Sequence, residues 1–219
     1  MTKRIVIVGG GVGGTIVANV VARALHRDEA EITVIDATGD HVYMPGWLYL
    51  PFNSGEGVEL SRPERTLLNR HVQLITGDVT RIDTERRELT VRTNGASLPL
   101  RDLSGAEERA APMSYDYLVL ATGARLAPED LPGLVEGLGR WHDFYSLSGA
   151  LRLRKALHDF EGGRIVIAIG GIPYRCPPAP LEFAFLLEDW LGKRHLRQTT
   201  EIHYLYPINR VFTIESVAE

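Results

Sequence analysis

Five glycines near the start of the chain form a pattern that can bind a phosphate. Gly9, Gly11 and Gly14 give the spacing G-x-G-x-x-G, and Gly10 and Gly13 fill two of the gaps. The first glycine permits a tight turn, the second lets the backbone approach a pyrophosphate, and the third lets a helix and a strand pack closely. Because glycines also cluster in purely structural turns, the flanking elements must decide between the two interpretations.

The residues around this cluster favour a ligand site. A β-branched apolar run at residues 4–8 precedes the glycines, and Asp36 ends the next apolar run. A helix N-terminus at the glycines offers free N–H groups and a partial positive charge to a pyrophosphate. The Asp36 carboxylate can accept a hydrogen bond from a ribose hydroxyl. These features predict a dinucleotide site, but on their own they do not decide whether the dinucleotide is NAD or FAD.

A second centre of possible chemistry is Cys176, which is the only cysteine in the chain. A single cysteine excludes an intrachain disulfide and a thiolate metal cluster. Cys176 follows Arg175 and precedes a helix predicted to start near Pro180, so the helix dipole and the arginine charge both favour the reactive thiolate form. The alternative is an inert, buried cysteine.

The apolar pattern predicts the elements that position the glycines and Asp36. Residues 4–8 and 31–36 are predicted to be buried strands, because both runs are short and rich in β-branched residues. A helix is predicted over residues 13–26, because apolar residues that should face the core recur at helical spacing. These residues are Ile16, Val17, Val20, Val21, Ala24 and Leu25.

The middle of the chain is predicted to contain short strands. They cover residues 72–75, 79–83, 88–92 and 117–121. The first three are expected to form a β-meander that runs from Val72 to Leu100, with a hairpin turn at Asn94-Gly95. Residues 101–113 are polar, charged and rich in alanine, and are expected to form an exposed loop.

A second α/β unit is predicted after a crossover rich in proline and glycine. Ser146 can cap a helix that extends to about Phe160, with four residues facing inward: Leu147, Ala150, Leu151 and Leu157. A strand at residues 164–169, a helix at 180–193 and a strand at 201–206 follow. The fold class is therefore α/β, with a Rossmann-like domain and β-meander over residues 1–124 and an incomplete second Rossmann-like domain over 125–219.

The composition excludes some classes of function. The 24 basic and 28 acidic residues give a net charge of −4, which argues against nucleic-acid binding through phosphate contacts. No apolar run approaches the ~18 residues of a membrane span. The first ten residues form a strand and a glycine turn, not a secretory signal, so a cytoplasmic location is expected, with the cytoplasmic face of a membrane as a further possibility.

The predicted strand that ends at Ala121-Thr122-Gly123 resembles the second fingerprint of flavoproteins with two dinucleotide domains. In those proteins the first glycine-rich loop holds FAD, so the resemblance implies FAD with its pyrophosphate at residues 9–14 and its adenosine ribose on Asp36. It also implies flavin contacts from residues elsewhere in the chain. These are Pro45, Gly46, Val79, Ala121, Thr122 and Gly123.

Two further segments resemble the sulfide:quinone oxidoreductases and the flavoprotein subunit of flavocytochrome c sulfide dehydrogenase. They are the sequences YMPGWLY at residues 43–49 and YRCPPAPLEFAFLLEDW at 174–190. The resemblance implies that Cys176 lies against the isoalloxazine ring and pairs with a second cysteine, and that the pair carries sulfide as a persulfide to the flavin. Sulfide and a quinone are then the substrates, and quinone is preferred over cytochrome c because no export signal is seen.

The same resemblance implies proton-transfer roles for two residues. Glu182 stands where the family places an acid near the cysteine, and His142 resembles a histidine that precedes the second domain. Each has a simpler explanation. A carboxylate stabilises a helix N-terminus without taking part in chemistry, and a loop histidine can serve packing alone.

The chain departs from the pattern of these flavoproteins in two places. Where an NAD(P)H domain needs a second G-x-G-x-x-G, residues 170–180 carry prolines and bulky side chains, and prolines donate no N–H. The C-terminal Gly-Asp turn, the partner cysteine and the membrane-dipping helices of the family are also not found. We therefore expect an N-terminal half that is completed by a C-terminal half or a second chain, with exposed apolar edges that favour homo-oligomers.

Three functions remain open from the sequence. The first is a sulfide:quinone oxidoreductase, and the second is a type II NADH dehydrogenase, which shares the FAD half. The third is a catalytically dead flavin- or nucleotide-binding piece. The altered second glycine loop argues against the NADH enzyme, because it removes the close backbone approach that a pyrophosphate needs.

Overall fold

A computed structural model describes residues 2–53, 59–93, 109–137 and 139–209. The chain divides into two compact units. The first contains residues 1–42 and 59–123, and the second contains residues 43–58 and 124–219. Both units combine helices with parallel strands, so the predicted α/β class is confirmed.

The first unit has nine strands and one α-helix among its described residues. The strands are β1 (Lys3–Val8), β2 (Ala30–Asp36), β3 (Asp40–Val42), β4 (Ser61–Pro63), β5 (Val72–Thr76), β6 (Asp78–Asp83), β7 (Glu88–Thr93), β8 (Arg109–Ser114) and β9 (Tyr117–Leu120), and the helix is α1 (Val12–Ala24). A parallel sheet has the order β5-β2-β1-β9, while β6-β7-β8 form an antiparallel meander and β3 pairs with β4.

Side chains that alternate in direction along β1 contribute to an apolar cluster on each face of the parallel sheet. Ile5 and Ile7 pack in the cluster that includes α1, whereas Val6 and Val8 pack with residues of the meander. Successive side chains of a strand point to opposite faces, so a strand buried on both faces is apolar throughout. This explains the unbroken apolar run that predicted the strand.

The predicted meander begins too early. Residues 72–76 form β5, which pairs in parallel with β2, and the meander contains only β6, β7 and β8. Val72 is buried in one cluster and Ile75 in the other, which is the pattern of a strand covered on both faces. A short apolar run does not show in advance which sheet it will join.

The predicted loop at residues 101–113 is also partly wrong. Residues 109–113 belong to β8, where they pair with β7 in an antiparallel register. Alanine has a low strand propensity, and pairing with a neighbouring strand outweighs it here. The rest of that loop and the Asn94-Gly95 turn lie outside the described residues.

Helix α1 forms as predicted, but only part of the predicted apolar face packs against the core. Its buried residues are Gly14, Thr15, Ala18 and Ala22, and they lie on one stripe at helical spacing. Ile16 and Val20 are instead 56% and 51% exposed. Val17 and Val21 pack against the core cluster from partly buried positions, and the small residues of the stripe let the helix approach the sheet closely.

The second unit pairs two parallel strands with helices. Its elements are α2 (Gly46–Tyr49), α3 (Leu147–His158), β10 (Gly163–Ala168), α4 (Ala179–Lys193) and β11 (Thr200–Leu205). The core centres on α4, where Phe183 stacks on Phe144 with ring centroids 4.7 Å apart. Among the described residues, no helix is both long enough and apolar enough to cross a membrane.

Ser146 caps α3 as predicted, since its hydroxyl accepts a hydrogen bond from the Gly149 N–H at 3.0 Å. Only two of the four residues that were predicted to face the core from α3 are buried. Ala150 and Leu157 are buried, whereas Leu147 and Leu151 are 49% and 47% exposed. The buried pair is separated by two helical turns, and the exposed pair lies on an adjacent stripe that the apolar pattern alone does not distinguish.

Candidate functional site

The glycine-rich loop joins β1 to α1 at the carboxyl edge of the parallel sheet. Gly9 has a positive φ of 105°, and a side chain there would collide with the carbonyl oxygen of Ala121. A side chain at Gly14 would collide with the carbonyl oxygen of Gly9. Glycine is required at both positions for the loop and the helix to pack.

Gly11 differs from these two glycines because its surroundings are open. No atom lies within 4 Å of the position that a Cβ would occupy, and its φ of −69° is accessible to any residue. The protein's own packing therefore does not require glycine here. Glycine here would instead let a ligand approach the backbone, which is the role predicted for the second glycine of a pyrophosphate loop.

The N-terminus of α1 has free hydrogen-bond donors. Gly11 is the N-cap without a side-chain cap, and the first helical bond runs from the Thr15 N–H to the Gly11 carbonyl at 3.0 Å. The N–H groups of Val12, Gly13 and Gly14 therefore have no acceptor within the helix. Such groups and the helix dipole form an anion site that fits a pyrophosphate.

Asp36 ends β2 beside the same loop. Its Oδ2 accepts the Gly10 N–H at 2.8 Å, and its Oδ1 accepts the N–H groups of Thr38 and Gly39 at 2.9 and 2.8 Å, together with the Thr38 hydroxyl at 3.0 Å. Each carboxylate oxygen offers about two acceptor positions, so Oδ1, which faces three donors, has none left, whereas Oδ2 accepts a single N–H. Oδ2 thus keeps one for a ribose hydroxyl.

These hydrogen bonds determine the ionisation of Asp36. Partial burial alone raises the pKa of Asp36, but hydrogen bonds from Gly10, Gly39 and Thr38 outweigh it and hold the pKa below its usual range. A lowered pKa means that Asp36 contributes stability above its unfolded pKa of about 3.9 and loses it as the pH falls through the folded value.

We expect Asp36→Asn to reduce the acid sensitivity of the fold, because that variant has no carboxylate to protonate. Thermal melts of the variant and the wild type, recorded from neutral pH down through the carboxylate range, measure this dependence. The exposed Asp28 offers a matched control, Asp28→Asn, which should keep the wild-type slope. Equal acid slopes for wild type and Asp36→Asn would contradict the assignment.

The segment after β9 lies next to the glycine loop. The Ala121 N–H donates to the Val8 carbonyl at 2.8 Å, and Gly123 has a positive φ of 69°. The structure therefore brings the glycine loop, Asp36 and residues 121–123 together at one sheet edge, which is where open α/β sheets bind ligands. Val79 lies in β6 and packs on the apolar cluster of the meander, so its flavin contact stays a prediction.

In the second unit, Cys176 lies on an exposed loop just before α4. It has a positive φ of 54°, and the N-cap of α4, Pro178, follows two residues later. Its carbonyl oxygen accepts the Ala179 N–H at 3.0 Å and the Tyr145 hydroxyl at 3.4 Å. The alternative interpretation expected a buried cysteine, and the residue is exposed instead; its reactivity stays a prediction.

Arg175 anchors the loop that carries Cys176. Its guanidinium donates to the Tyr145 carbonyl at 2.6 Å and to the Ala124 carbonyl at 3.4 Å, and it contacts the Met44 sulfur at 3.7 Å. It also lies over the Tyr145 ring, 5.6 Å from the centroid. Burial raises the pKa of the Tyr145 hydroxyl, and the nearby Cys176 raises it further. The charge of Arg175 lowers this pKa but offsets the two effects only in part, so the hydroxyl stays protonated.

The N-terminus of α4 lacks the free donors that α1 has. The Ala179 N–H donates to Cys176, Pro180 has no N–H, and the Leu181 N–H donates to the Pro178 carbonyl at 3.0 Å. These groups are therefore not available to a phosphate. The sequence located the prolines, but only the structure shows where the remaining N–H groups are used.

The other predicted site residues lie in the second unit. Glu182 is exposed in the first turn of α4, and His142 is exposed in the segment before α3. Pro45 is the N-cap of α2, and Gly46 is its buried first residue. The roles of these four residues in catalysis and flavin binding stay predictions.

Comparison with known proteins identifies relatives of this chain. Mouse mitochondrial sulfide:quinone oxidoreductase is 24% identical over 98% of the chain, which spans 44% of that protein. The external alternative NAD(P)H-ubiquinone oxidoreductase B2 of Arabidopsis thaliana mitochondria is also 24% identical, over 94% of the chain and 34% of the relative. The chain thus spans less than half the length of either protein.

Solved structures share the fold. The sulfide:quinone oxidoreductase of Aquifex aeolicus superposes with a TM-score of 0.70 at 22% identity, and the match covers 93% of this chain and 43% of that one. The open Gly11, the free donors of α1 and the remaining acceptor of Asp36 fit a dinucleotide. FAD, the predicted cofactor, is the cofactor of these flavoproteins.

The family comparison covers most of the chain. The pyridine nucleotide-disulphide oxidoreductase family matches residues 3–172, which include the glycine loop, Asp36, the meander and residues 121–123. The sequence resemblance to flavoproteins with two dinucleotide domains is thereby confirmed. The chain is a member of the pyridine nucleotide-disulphide oxidoreductase family.

Proposed function

We propose that the enzyme to which this chain contributes oxidises sulfide and passes the electrons through FAD to a quinone. One observation carries the proposal. Cys176 is exposed and lies in the segment where a second dinucleotide domain would need a phosphate-binding loop. The first turn of the helix that follows it, α4, has no N–H groups available for a phosphate. The sulfide:quinone oxidoreductase relatives support this choice of substrates.

The two helix N-termini differ in the donors that they offer to a ligand. In α1 the first-turn N–H groups of Val12, Gly13 and Gly14 are without helical acceptors. In α4 the corresponding groups are bonded within the chain or replaced by Pro180. The first end therefore suits a pyrophosphate, whereas the second has no first-turn N–H group left for one.

The proposed chemistry uses Cys176 as a sulfur carrier. Hydrosulfide attacks a disulfide between Cys176 and a second cysteine outside this chain. A bond forms between the sulfide sulfur and Cys176, the disulfide bond breaks, and the second cysteine leaves as a thiolate. A second hydrosulfide would remove the outer sulfur as a disulfane anion, and the two cysteine thiolates would then re-form the disulfide, with bound FAD as the two-electron acceptor. The electron pair then goes to quinone.

Residues near Cys176 have supporting roles in this proposal. Arg175 fixes the loop through Tyr145 and Ala124, so that the sulfur keeps one position. Glu182, in the first turn of α4, accepts the proton that hydrosulfide loses, and His142 is a second proton carrier. Because quinones dissolve in lipid, the proposal places the complete enzyme on the cytoplasmic face of a membrane.

An NAD(P)H:quinone oxidoreductase is the second candidate, because the Arabidopsis relative carries that name. The electron donor distinguishes the two. We expect sulfide to bleach the flavin absorbance of the complete, FAD-loaded enzyme under anaerobic conditions, and NADH to leave it unchanged. Rapid bleaching by NADH and none by sulfide would instead support the second candidate. Bleaching by neither donor would favour a catalytically dead flavin-binding protein.

A further inference from the structure

Three polar side chains from separate elements meet behind the glycine loop in the first unit. They are Thr15 of α1, His41 of β3 and Glu64, which follows β4. The Thr15 hydroxyl donates to Glu64 Oε1 at 2.6 Å, and His41 Nδ1 lies 2.8 Å from Glu64 Oε2. We call these three side chains the loop-support network.

The network is built into the interior. Glu64 is fully buried and Thr15 is 8% exposed, while the His41 side chain is 18% exposed. Burying a carboxylate is costly unless hydrogen bonds compensate it, and here each oxygen of Glu64 has a partner. Apolar side chains would fill the same space at lower cost, so packing alone does not explain the network.

The network also holds the backbone of the loop. His41 Nδ1 lies 3.2 Å from the Gly10 carbonyl oxygen, and the Thr15 hydroxyl lies 3.0 Å from the same atom. Because Nδ1 faces two acceptors, Glu64 and Gly10, it carries a hydrogen and donates. The Gly10 carbonyl is therefore directed toward the network.

The direction of the Gly10 carbonyl determines which way the next backbone N–H, that of Gly11, points. The Gly10 carbonyl and the Gly11 N–H belong to one planar trans peptide, so they point in opposite directions. The His41 Nδ1–H faces this carbonyl, and Thr15, whose one hydroxyl hydrogen goes to Glu64, lies beside it, so the Gly11 N–H points away from the network. The position of a Gly11 Cβ has no atom within 4 Å, so this part of the loop is open.

We propose that the loop-support network is a positioning device for cofactor binding. Thr15, His41 and Glu64 fix the Gly10–Gly11 peptide so that the Gly11 N–H is available to a phosphate oxygen of the dinucleotide. None of the three touches the cofactor through this role. Their effect is to remove the cost of ordering this peptide when the ligand binds.

The proposal is tested in the 219-residue chain with ADP, which carries the pyrophosphate and the ribose without the flavin. We expect Thr15→Val to weaken ADP binding about tenfold, the effect of losing about one hydrogen bond. Thr15→Ser restores the hydroxyl and should restore the affinity. Thr33→Val is the matched control, because Thr33 is equally buried, at 8% exposed, and lies in β2 away from the loop.

A second readout follows the Gly11 amide directly. In the wild type, ADP should shift the Gly11 amide proton downfield in a heteronuclear NMR spectrum, because the amide gains a charged acceptor, and Thr15→Val should reduce this shift. Circular dichroism shows whether each variant is folded. If Thr15→Val does not fold, His41→Phe provides the test, because it keeps a ring at a partly exposed site and removes the donor.

Equal ADP affinity in wild type and the folded valine variant would overturn the proposal. Equal weakening by Thr15→Val and Thr33→Val would also overturn it, since it would indicate a general loss of stability. Failure of Thr15→Ser to restore binding would do the same.

Discussion

The Gly11→Leu variant should lose FAD binding and still melt at the temperature of the wild type. The reason is that, apart from its chain neighbours, no residue has an atom within 4 Å of the Gly11 Cβ position, so a side chain leaves the backbone into open space. It occupies the space through which the pyrophosphate must approach the backbone. Flavin fluorescence titration measures the affinity, and a circular dichroism melt measures the stability.

Two other glycines provide controls for this result. Gly192 also has no atom within 4 Å of its Cβ position, but it is exposed in the last turn of α4, outside every segment predicted to bind the cofactor, so Gly192→Leu should bind FAD normally. Gly14→Ala should lower both stability and binding, because its methyl group would collide with the Gly9 carbonyl. Undiminished FAD affinity in Gly11→Leu would refute the placement of the pyrophosphate.

The Cys176→Ser variant should bind FAD as well as the wild type and lose flavin reduction by sulfide. A hydroxyl does not form a persulfide, so the proposed route for the electrons is closed. We expect a fall of at least about a thousandfold in the rate, the order of effect seen when a covalent nucleophile is removed. Stopped-flow absorbance of the complete enzyme measures the rate.

Serine suits this test because it is close to cysteine in size. Cys176 has a φ of 54°, and the two residues meet similar backbone strain there. Wild-type FAD content in the variant shows that the flavin site is intact. Full activity in Cys176→Ser would show that the cysteine takes no part in the mechanism. The contacts between Arg175 and Tyr145 would then have a structural role only.

Local sequence patterns were sufficient for the elements around the glycine loop. The unbroken apolar run of β1 and the glycine spacing predicted a strand, a turn and a helix, and all three are present. The same patterns did not assign β5 to its sheet, because a short apolar run fits a parallel strand and a meander equally well. They also missed that α1 packs through Gly14, Ala18 and Ala22.

The loop-support network could not be predicted from the sequence. Thr15 and Glu64 are 49 residues apart, and neither has a neighbouring motif that links it to the other. Their contact depends on where β3 and β4 pair beside the sheet. Contacts over such a distance arise from tertiary packing, which local sequence patterns do not reveal.

The anchor of the cysteine loop was missed for the same reason. The sequence identified Cys176 and suggested that the charge of Arg175 acts on the thiol. In the structure, the Arg175 guanidinium is bonded to the carbonyls of Tyr145 and Ala124, which are 30 and 51 residues away. Arg175 therefore positions the loop in addition to carrying charge.

The central claim is that Cys176 carries the sulfide sulfur, and mass spectrometry tests it most directly. The complete, FAD-loaded enzyme is exposed to sulfide without oxygen, trapped with an alkylating reagent and digested. The account predicts a Cys176 peptide that is heavier by one sulfur atom than the alkylated thiol. The contradicting result is a sample in which sulfide has bleached the flavin but every Cys176 peptide is alkylated as the simple thiol.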